Sequence, residues 1–244
     1  MKWDVDSPRY VIAYTAVVSA VFTAVVTTLG VAVKPVIARN EALREDRALV
    51  KVFAETLGLQ DVAGMSREQV ADIVARRIDG TMRLERLGGT GEPIAVYRAY
   101  GEDRTLLAVA FPFTGTGFWA PITGLMAIRC SSDSATGRAG LAEVAGVVFL
   151  DHSETPGLGG RITEDDFQDR FRGLPVPPAD GGPLLYMERQ MPKEGDPRRK
   201  HAVQAITGAT QTSMAVGRFL NASVRAFRAA WDARPPEAVQ TARR

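Results

Sequence analysis

The hydrophobic pattern of the chain begins with an uncharged stretch close to the N-terminus. Residues 11–33, "VIAYTAVVSAVFTAVVTTLGVAV", contain no charged side chain. As a helix they span roughly 35 Å, enough to cross a hydrocarbon core of about 30 Å. A cleaved signal peptide has a shorter apolar region of about 7–15 residues, and a buried core helix normally keeps a polar face. The pattern predicts one transmembrane helix over 11–33, after a short N-terminal segment, 1–10.

Helical periodicity recurs three times after the predicted membrane span. Residues 40–59, within a connecting region 34–65, predict a juxtamembrane helix that ends near Gly58. Residues 66–77 begin with a capping box, formed by Ser66 and Gln69. The last helix is predicted to begin near Thr212 or Ser213. Its apolar face consists of Val216, Leu220, Val224, Phe227 and Trp231.

Runs of strand-forming residues lie between the second and the last predicted helix. They cover residues 94–100, 105–111, 121–128 and 143–151. Polar residues at 129–140 predict a hairpin loop, and "LPVPPADGGP" at 174–183 predicts a Pro/Gly loop. Strands that follow one another between helices indicate a single α+β domain, residues 66–232, with a mixed or antiparallel sheet. Pro235 and Pro236 end the last helix, so 233–244 is predicted to be a loose tail.

Composition excludes several classes of function. The formal net charge is only +2 and the basic residues are dispersed, so nucleic acid is not an expected partner. Cys130 is the only cysteine, which rules out an internal disulfide and a CxxC pair. His152 and His201 are the only histidines, and the carboxylates show no ligand spacing, so we expect no metal site and no metal-dependent hydrolase.

The segment "HSETPGLGG", His152–Gly160, follows a predicted strand and is rich in glycine. One interpretation is a tight turn with a solvated Glu154. The other is a loop whose small residues let the backbone approach a flat or phosphorylated ligand, with polar contacts from Glu154 and Thr155.

The segment "AITGATQTS", residues 205–213, clusters four hydroxyl side chains at the start of the last predicted helix. One interpretation is that the hydroxyl of Thr212 or Ser213 simply caps the helix. Free N–H groups and the helix dipole also favour an anion at that position, so a phosphate is the second interpretation. Gly208 and Ala209 leave the approach clear.

Together the two segments resemble the FMN-binding domain of the C subunit of the sodium-translocating NADH:quinone reductase, a family related to the G subunit of the Rnf electron-transport complex. The resemblance covers nearly the whole chain, including "NEAL" in the juxtamembrane helix, "GTGFWAPITGLMAI" (115–128), "HSETPGLGGRI" (152–162) and "TGATQTS" (207–213). The "GFWAPITG" run with Trp119 is typical of the quinone-reductase family rather than of its Rnf relative.

The resemblance implies a covalent FMN, joined by a phosphoester bond to Thr210, and a one-electron relay without substrate chemistry of its own. The complex would carry electrons from NADH to ubiquinone and export sodium. The implied cofactor-binding residues are Thr207, Gly208, Ala209 and Thr210, with Glu154, Thr155, Gly157 and Leu158 in the loop and Trp119 and Thr123 in the pocket wall. The implied partners are the other proteins of the complex, membrane lipid and a flavin transferase.

Location also follows from the resemblance. It implies a single-pass protein of the bacterial inner membrane, with a cytoplasmic N-terminus and a periplasmic domain. The count of basic residues favours the opposite orientation, because Lys34, Arg39, Arg44 and Arg47 follow the span. That count weighs little for large translocated domains.

Two departures from the family pattern keep alternatives open. Gln204 stands where the family usually has an aspartate, about six residues before the modified threonine. The resemblance implies that the flavin transferase recognises that aspartate. The ending "RAAWDARPPEAVQTARR" replaces an aromatic- and glycine-rich terminus. The alternatives are an Rnf-type or other anchored electron-transfer flavoprotein, and an assembly or interaction domain without flavin.

Overall fold

The first helix carries the predicted membrane span. The computed structural model describes residues 7–86, 92–132, 139–178 and 181–234. Helix α1 covers Pro8–Val52. By length and composition, its apolar part is long enough to cross a membrane, and none of that apolar part is buried within the protein. The juxtamembrane helix predicted at 40–59 ends at Val52 in the structure, and turns follow as far as Gly58. Of the predicted N-terminal segment, residues 1–6 lie outside the described residues.

The chain divides into two compact units, residues 1–45 and 46–244. The second contains a five-stranded antiparallel sheet whose strands neighbour one another in chain order. The strands are β1 Ile78–Leu84, β2 Ile94–Tyr100, β3 Leu106–Thr116, β4 Pro121–Ser132 and β5 Ala139–Asp151. The predicted α+β class with an antiparallel sheet is confirmed.

Two details of the sheet differ from the sequence prediction. Strand β1 was not predicted, because "IDGTMRL" combines a glycine with polar residues and has no clear alternation. The hairpin loop predicted at 129–140 is too long at both ends: residues 129–132 and 139–140 are paired strand, and 133–138 lie outside the described residues.

Both faces of the sheet are covered by helix. On one face lies α4, Thr210–Ala233, and the ring of its Phe227 stacks on Phe111 of β3 with centroids 4.1 Å apart. The predicted apolar face of this helix is buried throughout. On the other face the last turns of α1 pack on alanines of β3 and β4. Gly146 permits this approach, because a Cβ there would lie 2.5 Å from the Val52 carbonyl oxygen.

The remaining elements are short. Helix α2, Arg67–Arg77, has the predicted capping box, with Ser66 and Gln69 bonded to each other's backbone. Helix α3 covers Asp165–Asp169. A separate parallel pair of strands, which was not predicted, consists of β6, Tyr186–Glu188, and β7, Ala202–Gln204. Of the predicted loop 174–183, Pro175 makes an isolated bridge to Glu143, and residues 179–180 lie outside the described residues. Of the predicted tail, 235–244 also lie outside.

Candidate functional site

The centre of the site is the buried carboxylate of Glu154, which is only 5% exposed. Its Oε1 accepts hydrogen bonds from the N–H groups of Phe118 (2.7 Å) and Trp119 (3.2 Å). Its Oε2 accepts a hydrogen bond of 2.7 Å from the hydroxyl of Thr212. The expectation of a solvated Glu154 is therefore wrong, although the segment does form a tight turn. The carboxylate joins the β3–β4 turn, the loop after β5 and the start of α4.

Two glycines make room for this carboxylate. A Cβ on Gly117 would lie 2.5 Å from Glu154 Oε1. A Cβ on Gly159 would lie 2.6 Å from Thr212 Oγ1 and 2.7 Å from Glu154 Oε2. Real Cβ atoms do not approach polar atoms this closely, so any side chain at either position has to displace the hydrogen-bonded groups.

The loop that carries Glu154 is a tight turn closed by its own backbone. The carbonyl oxygen of Thr155 accepts from the N–H groups of Leu158 (3.1 Å) and Gly160 (3.0 Å). Gly157 has φ +74°, a conformation that L side chains rarely adopt. Thr155 and Gly157 are exposed, and Leu158 leaves 46% of its surface in solvent. His152 supports the base of the turn, since its Nδ1 accepts from the Glu154 N–H at 3.2 Å.

Helix α4 begins inside the second predicted segment, two or three residues earlier than the sequence predicts. Thr210 is the first helical residue, because the N–H of Ser213 donates to the carbonyl oxygen of Ala209 at 3.0 Å. Neither Thr212 nor Ser213 caps the helix, so that interpretation is wrong. Ser213 Oγ instead accepts from Ile206 N–H and donates to Ala209 O. At the actual cap, Ala209, no side chain within the described part of the chain accepts from the first helical turn.

Thr210 itself is half-buried and borders a surface hollow of about 650 Å³. This volume falls within the range of small-molecule sites, about 300–1,000 Å³. The hollow lies between the start of α4 and the segment that includes the end of β6. It is lined by Met187, Glu188, Arg189, Gln190, Thr210, Gln211, Met214 and Arg218.

The loop and the start of α4 meet at a second point besides the Glu154–Thr212 hydrogen bond. Gly208 has φ +84°, and a Cβ there would lie 3.2 Å from Leu158 Cδ2. Thr207 and Gly208 are exposed, whereas Ala209 is buried. The structure thus brings together the two glycine-containing segments that the sequence separates by about fifty residues.

Aromatic side chains are exposed beside this junction. Trp119 is 68% exposed and Phe118 53%, and their rings meet edge to face with centroids 4.9 Å apart. Trp119 is therefore not a residue of the core. Thr123 lies at the start of β4, where its hydroxyl bonds to the Asp151 carboxylate at 3.2 Å and accepts from the Asp151 N–H. Thr123 is not among the described residues that line the hollow beside Thr210.

Gln204, which replaces the family's aspartate, is exposed at the end of β7. Its carbonyl oxygen accepts a hydrogen bond of 2.9 Å from the guanidinium of Arg170. Sequence reasoning did not find Gly117, Phe118 or the β6 side of the hollow. Thr212 was considered only as a cap, since no sequence pattern pairs it with Glu154, 58 positions away.

Known proteins resemble this chain over the region that contains the site. Residues 117–225 match the model of the FMN-binding domain family, and this range includes Glu154, Thr210 and Thr212. The chain is 24% identical to the C subunit of the Na(+)-translocating NADH-quinone reductase of Neisseria meningitidis serogroup B, over 88% of this chain and 89% of that protein. It is 31% identical to the protein of the same name from Pasteurella multocida, over 50% of this chain and 42% of that one.

Solved structures give the same result for the fold. The crystal structure of NqrC from Shewanella oneidensis matches with a TM-score of 0.57 and 21% identity, over 79% of this chain and 97% of that chain. The corresponding reductase protein from Parabacteroides distasonis matches with a TM-score of 0.57 and 17% identity, over 80% and 96%. The matches together confirm the resemblance to the C subunit of the sodium-translocating reductase and an FMN-binding domain over residues 117–225.

Proposed function

We propose that this relative of the reductase C subunits holds FMN through a phosphoester bond to Thr210 and relays electrons within a membrane-bound redox complex. One observation carries the proposal. Thr210 is the first residue of a long helix that no described side chain caps, and it borders a hollow of about 650 Å³ inside the range matched by the FMN-binding domain.

The surroundings of Thr210 fit a phosphate group. The first N–H groups of a helix have no intrahelical acceptor, and the helix dipole favours negative charge at this end. Arg189 and Arg218 line the hollow and add positive charge, although Glu188 opposes them. The N-terminal turn of α4 and these two arginines are the groups that we expect to hold the phosphate.

Exposed apolar side chains supply surface for a flat ring. Phe118, Trp119, Leu158 and Met214 all leave large parts of their side chains in solvent. FMN, when bound, accepts and donates electrons, and the protein supplies binding, orientation and exclusion of water. We expect Trp119 and Leu158 to shield it, with Thr155, Gly157, Gly208 and Ala209 leaving room for its approach. Thr123 remains a proposed residue of the pocket wall.

The membrane complex is the second part of the proposal. The apolar helix α1 and the relatives support a membrane-anchored component of a redox complex. We propose that the chain crosses the bacterial inner membrane once, with residues 46–234 on the periplasmic side. Its partners would be the other proteins that carry electrons from NADH to ubiquinone with sodium export, together with lipid and a flavin transferase for maturation.

Attachment of flavin is tested by expressing the full chain with a flavin transferase in a host that exports it. The denatured wild-type protein should give a fluorescent band on a gel, and Thr210→Ala should give a dark one. Thr207→Ala, which removes the exposed hydroxyl three residues earlier, should remain fluorescent. A dark wild-type band, or a bright Thr210→Ala band, contradicts the attachment to Thr210.

Gln204 favours the second candidate, an assembly domain that carries no flavin, because it departs from the family pattern. The variant Gln204→Asp separates the two functions. If the side chain only slows the transferase, Gln204→Asp should raise the fluorescence of a weak wild-type band. If the wild-type and Gln204→Asp bands are both dark while the proteins are folded and exported, the result supports the assembly function over flavin binding.

A further inference from the structure

Glu154 is not among the described residues that line the hollow beside Thr210. Both carboxylate oxygens already accept from groups of this chain, and the side chain is 5% exposed. A carboxylate that is almost fully buried is costly unless it is well hydrogen-bonded, so these three donors are what make it tolerable. These contacts within the chain differ from the direct flavin contact that the family resemblance implies for Glu154.

We propose that Glu154 is a positioning residue, which clamps the Phe118–Trp119 turn to the first turn of helix α4. One oxygen holds the backbone of the turn at 2.7 and 3.2 Å, and the other holds the Thr212 hydroxyl at 2.7 Å. Thr212 is two residues after Thr210, so the clamp fixes the exposed aromatic pair relative to the proposed attachment point. The role in positioning flavin rests on the proposed function, whereas the hydrogen bonds of the clamp do not depend on it.

The packing around the clamp leaves no room for a side chain at two neighbouring positions. Gly117 and Gly159 both lie where a Cβ would meet the oxygens of Glu154 or the hydroxyl of Thr212. The Glu154 N–H is itself held by His152 Nδ1. A hydrogen bond to a charged group is stronger than a neutral one, and losing it shifts the equilibrium between the closed and the open local structure by about 10- to 100-fold. Removing one should therefore release the turn measurably without unfolding the sheet.

Thr212→Val is the sharpest perturbation, because it keeps the shape of the side chain and removes only the hydroxyl. We expect amide hydrogen exchange at Phe118 and Trp119 to speed up about tenfold in the full chain in detergent, while the sheet strands keep their wild-type rates. Thr212→Ser should restore slow exchange, since it keeps the hydroxyl. Thr114→Val makes the same chemical change at an exposed position of β3 and serves as the matched control.

The same variants are then incubated with limiting flavin transferase. Thr212→Val should also slow the attachment of flavin and make the attached flavin easier to quench with iodide, and Thr212→Ser should reverse both effects. Wild-type exchange rates at Phe118 and Trp119 in folded Thr212→Val would overturn the clamp. Faster exchange with unchanged attachment and quenching would overturn its role in positioning the flavin.

The outcomes separate this inference from the proposed function. If the wild-type chain takes no flavin, the attachment to Thr210 fails, and the hydrogen-exchange measurement still decides whether Glu154 links the two segments. Glu154→Gln gives a second variant, because an amide can keep the contacts to the backbone while it removes the charge. We expect its exchange rates to lie between those of the wild type and Glu154→Ala.

Discussion

Replacing Gly159 by alanine adds one carbon atom, the Cβ, and so tests how closely Glu154 and Thr212 pack against residue 159. The backbone at Gly159 does not need a positive φ, so the substitution is opposed by contact and not by conformation. The added Cβ would lie 2.6 Å from Thr212 Oγ1 and 2.7 Å from Glu154 Oε2, both buried and bonded to each other. One of these two groups has to move, and the hydrogen bond between them should break.

The magnitude follows from three contributions to the free energy of unfolding. Overpacking costs about 1–3 kcal/mol. Loss of a hydrogen bond to a charged group costs about 1.5–3 kcal/mol. Alanine also lowers the entropy of the unfolded chain relative to glycine, which offsets about 0.4–1 kcal/mol of this loss. We expect a net loss of about 1.5–5.5 kcal/mol, which corresponds to a melting temperature about 3–20 °C lower for a domain of this size.

The assay is thermal unfolding of the full chain in detergent, followed by near-ultraviolet circular dichroism. Two glycine variants serve as controls. Gly182→Ala, where the nearest atom is the Tyr186 hydroxyl at 4.0 Å, should change stability by less than about 1 kcal/mol. Gly157→Ala has open space but φ +74°, so it measures backbone strain alone, about 1–2 kcal/mol. Unfolding of Gly159→Ala at the wild-type temperature would refute the close packing of Glu154 and Thr212.

Two further predictions concern titratable groups in the sheet. Burial raises the pKa of Asp79, but hydrogen bonds from Thr81 and the adjacent Arg98 guanidinium outweigh it, and the pKa lies below its ordinary value. Its stabilisation is therefore present above pH of about 3.9 and is lost as the pH falls through the folded pKa. Asp79→Asn should lower the free energy of unfolding at pH 7 by about 1–2 kcal/mol, measured by urea denaturation, because the Asp79 side chain is partly exposed and solvent screens its charge. The variant should also show a weaker loss of stability in acid. Equal acid dependence in both proteins would contradict this assignment. Burial also raises the pKa of the Cys130 thiol to about 12. At pH 8 the native protein should therefore react with a thiol reagent on the order of a thousandfold more slowly than the urea-unfolded chain. Equal reaction rates would show that the thiol is not desolvated.

The sequence by itself determined the elements whose signals are local. The capping box of Ser66 and Gln69 and the apolar face of α4 depend on neighbours three or four residues apart, and both are as predicted. Strands β2 to β5 were recognised because β-branched and aromatic residues are concentrated there. The family motifs located both halves of the candidate site, and the match over residues 117–225 supports them.

Only the tertiary structure decided how those halves fit together. Strand β1 and the parallel pair β6–β7 are short or polar, and they exist because a neighbouring strand supplies their hydrogen-bond partners. The role of Glu154 could not be predicted, because its carboxylate is satisfied by donors 36, 35 and 58 positions away. A buried charge takes whichever donors the fold brings within reach, and no local pattern records which ones those are.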